Sequence, residues 1–93
     1  MASLSSDEVN QRLNDLPGWT AEGDTIVKEF GLPGFPEAIA FVVQLGFAAE
    51  AANHHPDLDI RYNKVRVALS THSEGGVTDK DFSLAGAAEE IAG

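Results

Sequence analysis

The sequence predicts an α+β fold in the order α-β-β-α-β-β-α, and three observations predict it. Two helix-start signatures, around Ser5 and Thr78, stand near opposite ends of the chain. Two turn signals, Gly23-Asp24 and Asn63-Lys64, each separate stretches of strand-forming residues. Between these two hairpin patterns lies an apolar segment, residues 36–53, that is too long for a strand.

The first helix is set by Ser5 as N-cap with Glu8 three residues on, a capping box flanked by Leu4 and Val9 as a hydrophobic staple. Val9, Leu13 and Leu16 then share one face, and Pro17-Gly18 ends the helix. Residues 19–22 and 25–30 form the first hairpin. In the central helix Pro36 occupies a position where its missing N–H costs nothing, and Glu37 adds the negative charge that a helix start favours. Ile39, Phe41, Val42, Val43, Leu45 and Phe47 nearly surround that helix, although a helix lying on a sheet needs one apolar stripe only. The second stripe is expected to meet another copy, in a homodimer or homotetramer.

Residues 58–70 carry the clearest strand signal. Leu58, Ile60 and Tyr62 alternate with Asp59 and Arg61, and Val65, Val67 and Leu69 alternate with Arg66 and Ala68. With Asn63-Lys64 as the turn, facing positions have numbers adding to 127. Tyr62 then faces Val65, Ile60 faces Val67 and Leu58 faces Leu69, all on one apolar face. The same register sets Arg61 against Arg66, which is repulsive unless Asp59 or a partner chain intervenes. In the last helix Thr78 is the cap, Asp81 takes the acidic third position, Val77 staples to Phe82, and Phe82, Ala85, Ala88 and Ile91 face inward. Residues 1–93 read as one domain without internal repeats.

Composition excludes several classes. With 43% apolar and 23% charged residues the chain has the balance of a folded domain. The absence of cysteine removes disulfides and thiolate metal sites. A net charge of −9 repels phosphate backbones, so no nucleic-acid partner is expected. The most apolar run, residues 38–52, is broken by Gln44 and Glu50 and is short for a bilayer, so no membrane partner is expected either. The start of the sequence lacks the basic and apolar blocks of a secretion signal, and a cytoplasmic location is the expectation.

Two of the three histidines are adjacent, in the run NHHPD. Extending the predicted register past the paired region brings His55 opposite His72, although Pro56 cannot donate to the ladder there. The open end of the second hairpin thus gathers His54, His55 and His72. Surface histidines are one reading. Their convergence weakens it, because like titrating groups held together repel when charged. A zinc site with Glu50, four residues before His54, is a second, though the spacing matches no established zinc pattern. Acid/base catalysis is a third, since histidine exchanges protons near neutral pH. A serine nucleophile among Ser70, Thr71 and Ser73 lacks the strained elbow such residues need. Asp81 is accounted for by capping alone.

The run of Glu50, His54-His55-Pro56, Tyr62, His72 and Asp81 at these separations resembles the signature of the pterin-4a-carbinolamine dehydratases. The stretch HHPDLDIRYNKVRVALSTH is similar to the bacterial branch, and Trp19, the apolar central helix and the DFSLA segment agree. The resemblance implies a four-stranded antiparallel sheet with three helices on one face. It also implies elimination of water from the 4a-hydroxytetrahydrobiopterin carbinolamine to give quinonoid dihydropterin, with no metal or organic cofactor. Catalysis would rest on His54, His55 and His72, with His54 and His72 as the acid/base pair in either assignment and His55 mainly holding substrate. The pterin would touch Asn53, His54 and His55 on one side and Ser70, Thr71 and His72 on the other, where backbone groups freed at the strand end can read its flat edge. Asn53 stands where some members carry an acid, and Leu58 where animal members carry an aromatic. The alternative is a non-catalytic interaction or assembly protein, since relatives of this kind serve as a dimerisation cofactor or as chaperones. The chaperone-like relatives lose the histidines that this chain keeps.

Overall fold

The computed structural model describes residues 3–93. It contains α1 (Ser6–Leu13), β1 (Thr20–Glu22), β2 (Thr25–Gly31), α2 (Phe35–Ala52), β3 (Asp57–Arg61), β4 (Lys64–Leu69), a single 3-10 turn (His72–Glu74) and α3 (Asp79–Ala92). The strands form one antiparallel sheet in the order β1-β2-β4-β3, with the three helices on one face, as expected.

Helix starts follow the side chains that cap them. Glu8 N–H donates to Ser5 Oγ at 3.2 Å and Ser5 N–H donates to Glu8 Oε1 at 3.0 Å, which satisfies two amides that α1 itself cannot. At α3, Thr78 N–H donates to Asp81 Oδ2 at 2.9 Å and Lys80 N–H to Thr78 Oγ1 at 3.2 Å. α2 carries Pro36 in its first turn and closes at Asn53 in the left-handed region, φ 51°, which asparagine tolerates better than most residues.

The core lies between sheet and helices. Ile26, Phe30, Val65, Val67 and Leu69 share the inner sheet face and meet Phe41 and Leu45 of α2. In α3 the inward stripe is Asp81, Leu84, Ala85 and Ala88, whereas Phe82 and Ile91, expected inside, are half-buried. The small residues let α3 pack closely on α2, and the rotation carries the Asp81 carboxylate into the interior. Trp19 Nε1 donates to Glu89 Oε2 at 2.9 Å and Lys28 Nζ donates to the same oxygen at 2.6 Å, tying both the segment before β1 and strand β2 to α3. By length and composition α2 could cross a membrane, contrary to the expectation from residues 38–52 alone, but Ala38, Phe41, Leu45 and Ala49 are buried against the rest of the fold.

The second hairpin corrects the predicted register. Leu58 faces Val67, Ile60 faces Val65 and Arg61 faces Lys64, so partner numbers add to 125 and the turn is Tyr62-Asn63. Tyr62, not a residue of the expected Asn63-Lys64 turn, takes a positive φ of 53°. Asn63 is held elsewhere: its Nδ2 donates to the Leu32 carbonyl at 2.8 Å, and its own carbonyl accepts Leu32 N–H at 2.8 Å. The partners move by two residues, an even step, so every side chain keeps its face. On the polar face the arginine clash disappears. Arg66 now stands between Glu29 of β2 and Asp59 of β3 and pairs with Glu22 at 2.7 Å.

Candidate active site

Two chain ends meet beyond the β3-β4 hairpin. On one side the left-handed turn at Asn53 reverses the chain leaving α2, and His54 N–H returns to the Ala49 carbonyl at 3.0 Å. That reversal drives His54 inward, to 9% exposure, and leaves His55 outside, where its Nε2 lies 2.8 Å from Glu50 Oε1. On the other side β4 ends and residues 71–76 form a short closed loop. Thr71 N–H donates to the Gly76 carbonyl at 2.9 Å and Gly76 N–H returns to Thr71 at 3.4 Å, with His72 on the turn between them. The corrected register alone would place Asn53, not His55, across from His72, yet both chain ends bend towards each other. A pocket of about 370 Å³ results, lined by Asn53, His54, His55, Ser70, Thr71 and His72, all singled out from sequence as site residues, together with Ser73, weighed there only as a nucleophile, and Lys80, which was not singled out.

The electrostatic centre is a residue that sequence reasoning had confined to capping. Asp81 has 0% exposure, and His54 Nε2 lies 2.5 Å from its Oδ1. Its Oδ2 accepts Thr71 O–H at 2.8 Å as well as Thr78 N–H. Thr71 Oγ1 and Thr78 Oγ1 are 2.7 Å apart. A buried carboxylate is costly unless surrounded by donors, and here both oxygens are supplied. Among the described residues no buried side-chain polar atom lacks a partner. His54 hydrogen-bonds through Nε2 only, and since no buried side-chain polar atom among the described residues is unpartnered, its Nδ1 keeps contact with solvent, and His54 itself lines the pocket. The signal that would have revealed Asp81 is its place at the head of the 81/84/85/88 stripe, a polar residue in phase with the apolar ones.

Several expectations change in detail. Thr71 offers no free strand-end groups, because its N–H goes to Gly76 and its carbonyl accepts Glu74 N–H at 2.9 Å. Its hydroxyl is turned to Asp81, so Thr71 supports the site from behind. Ser70 Oγ donates to the Asp24 carbonyl at 2.7 Å, a link to the β1-β2 turn and away from any histidine, which leaves the nucleophile reading without geometry. Glu50 engages His55, not His54, so the zinc corner does not assemble. Among the described residues no three of His, Cys, Asp or Glu are arranged to hold a metal ion. Lys80 is the one basic side chain on the pocket wall other than the histidines.

The sequence profile described as pterin 4 alpha carbinolamine dehydratase matches residues 2–91. The chain belongs to the pterin-4a-carbinolamine dehydratase family. Curated family members with the name "Putative pterin-4-alpha-carbinolamine dehydratase" include one from Roseiflexus castenholzii, 59% identical over 98% of this chain and 99% of its own length. Another, from Chloroflexus aurantiacus, is 55% identical over 100% of both. Among solved structures, a transcriptional coactivator/pterin dehydratase from Brucella melitensis superposes with a TM-score of 0.95 at 38% identity, covering 98% of this chain and 99% of that one. A pterin dehydratase-like RuBisCO assembly factor of the alpha-carboxysome shares the dehydratase fold, with a TM-score of 0.67 at 18% identity, covering 81% of this chain and 87% of that one.

Proposed function

We propose that the protein is a 4a-hydroxytetrahydropterin dehydratase acting by histidine acid/base catalysis. One observation carries the reading: His54, His55 and His72 line a single pocket together with Asn53, Ser70 and Thr71. The reaction breaks the C4a–O bond as a proton is delivered to the departing hydroxyl. The electrons of the N5–H bond become the C4a–N5 double bond as that proton is removed. In this reading His54, backed by the Asp81 carboxylate that balances an added charge, takes the N5 proton. His72, on the opposite wall, supplies the proton that leaves with water. His55, held by Glu50, borders the ring. No step calls for a metal or an organic cofactor.

The test is to generate the 4a-hydroxy species and follow its decay by ultraviolet absorbance. Wild type should accelerate decay, and His54→Ala and His72→Ala should fall close to the spontaneous rate. A wild-type rate equal to the spontaneous one removes the assignment. The second reading, a role in protein association, draws on the exposed apolar side of α2, where Phe35, Ile39, Val43 and Phe47 recur at every fourth position. The occupant we assign to it is a second copy of this chain, in a homodimer or homotetramer, which leaves the dehydratase reading intact.

A further inference from the structure

We propose that Thr71 and Thr78 are positioning residues that confine proton exchange at His54 to its Nδ1 atom. The hydrogen-bond directions around Asp81 carry this. Thr78 Oγ1 accepts Lys80 N–H, and Asp81 Oδ2 accepts Thr78 N–H, so neither atom's role is free. Thr71 has one hydroxyl hydrogen, and Asp81 Oδ2 stands 2.8 Å from it. Thr78 O–H then has Thr71 Oγ1 as its acceptor, at 2.7 Å. In this arrangement every donor meets an acceptor and Asp81 accepts only. Two fixed donors, Thr71 O–H and Thr78 N–H, converge on Oδ2 and exclude a hydrogen there, and the ionised carboxylate that suits them presents Oδ1 to His54 as an acceptor too.

An aspartate that only accepts requires a hydrogen on His54 Nε2, 2.5 Å away. That hydrogen is present in the neutral Nε2–H tautomer and in the imidazolium alike. The proton that comes and goes is therefore the one on Nδ1, the nitrogen open to solvent at the pocket wall. Thr71 contributes twice. Its backbone closes the loop that carries His72, and its hydroxyl orders the aspartate behind His54, so one buried residue sets the geometry of both proposed proton carriers.

The inference rests on the proposed dehydratase role for its purpose, but its test does not. Long-range proton–nitrogen NMR of uniformly labelled protein reads which imidazole nitrogen is protonated. Wild-type His54 should show a protonated Nε2 throughout titration, with the Nδ1 resonance alone moving. Thr71→Val keeps the shape and removes the hydroxyl, and should give averaged signals for the two nitrogens, while Thr71→Ser restores the wild-type pattern. In a dehydratase assay Thr71→Val should lower kcat by on the order of tenfold with KM within about twofold. A wild-type His54 carrying its neutral-state proton on Nδ1 overturns the proposal, whatever the variants do. So does an unchanged His54 pattern in a Thr71→Val protein whose amide spectrum shows a native fold. If Thr71→Val does not fold, the wild-type spectrum decides. The correct tautomer in a protein without dehydratase activity would defeat the functional reading and leave this inference standing.

Discussion

At the scale of single residues, the buried carboxylate and the left-handed asparagine bear the most. Asp81→Asn preserves shape but replaces an acceptor oxygen by an amide donor, which must face His54 Nε2–H or the Thr71 and Thr78 donors. The ring escapes this conflict by moving its proton to Nδ1, the atom that has to be vacant. Catalysis should fall by about 100-fold or more, since a fixed tautomer is worth that in other histidine-carboxylate pairs. Urea unfolding should show only about 1–3 kcal/mol of lost stability. Unchanged kcat in Asp81→Asn would show that the pair is structural only. Asn53 sits at φ 51° and ψ 44°, so Asn53→Gly should leave the melting temperature near wild type, whereas Asn53→Val should cost about 1–3 kcal/mol by strain and displace His54 with it. Equal melting temperatures for the two variants would refute this account of the reversal. The gathering of the histidines at one pocket was legible because they are few and flank one hairpin. Asp81 was not, because a capping box explains the same residue with a shorter argument.

At the scale of elements, the two capping boxes were readable from four side chains, and the hairpin turn was not. The turn depended on a contact no local pattern shows: Asn63 is held by Leu32, so Tyr62 takes the positive φ. The facing error was even, which is why every side chain kept its face while the cross-strand partners on both faces changed. α1 offers a pH test of local chemistry. The Ser5 N–H bond, ahead of the Ser5 hydroxyl, holds the Glu8 carboxyl below the ordinary glutamate value of 4.5. A lowered folded-state value means that the ionised form is favoured on folding. Its contribution is complete above 4.5 and disappears as pH falls through the lowered folded value. The melting-temperature gap between wild type and Glu8→Ala should stay open at pH 7 and narrow steadily below 4.5. A gap as wide at pH 2 as at pH 7 would mean that Glu8 acts through packing.

At the scale of the whole molecule, α2 has two apolar sides and the fold uses one. Ala38, Phe41, Leu45 and Ala49 are buried, while Phe47 is 74% exposed and Val43 51%. Phe35, Ile39, Val43 and Phe47 form a continuous ridge on the far side, with Ile60 and Tyr62 exposed on β3 and its turn. Apolar surface gathered in this way marks an association site, and edge strands β1 and β3 add open backbone. Self-association has to overcome repulsion, because each copy carries a net charge of −9. Salt screens that repulsion and leaves apolar burial in place. The purified protein should therefore sediment as a dimer or tetramer at micromolar concentration, more completely at high salt than at low. Val43→Glu and Phe47→Glu insert charge into the ridge without touching the histidine pocket, and each should return the monomer with its circular dichroism unchanged. A wild-type chain that stays monomeric at every salt concentration would mean that the ridge serves another partner, and self-assembly would be rejected while the pocket chemistry stood.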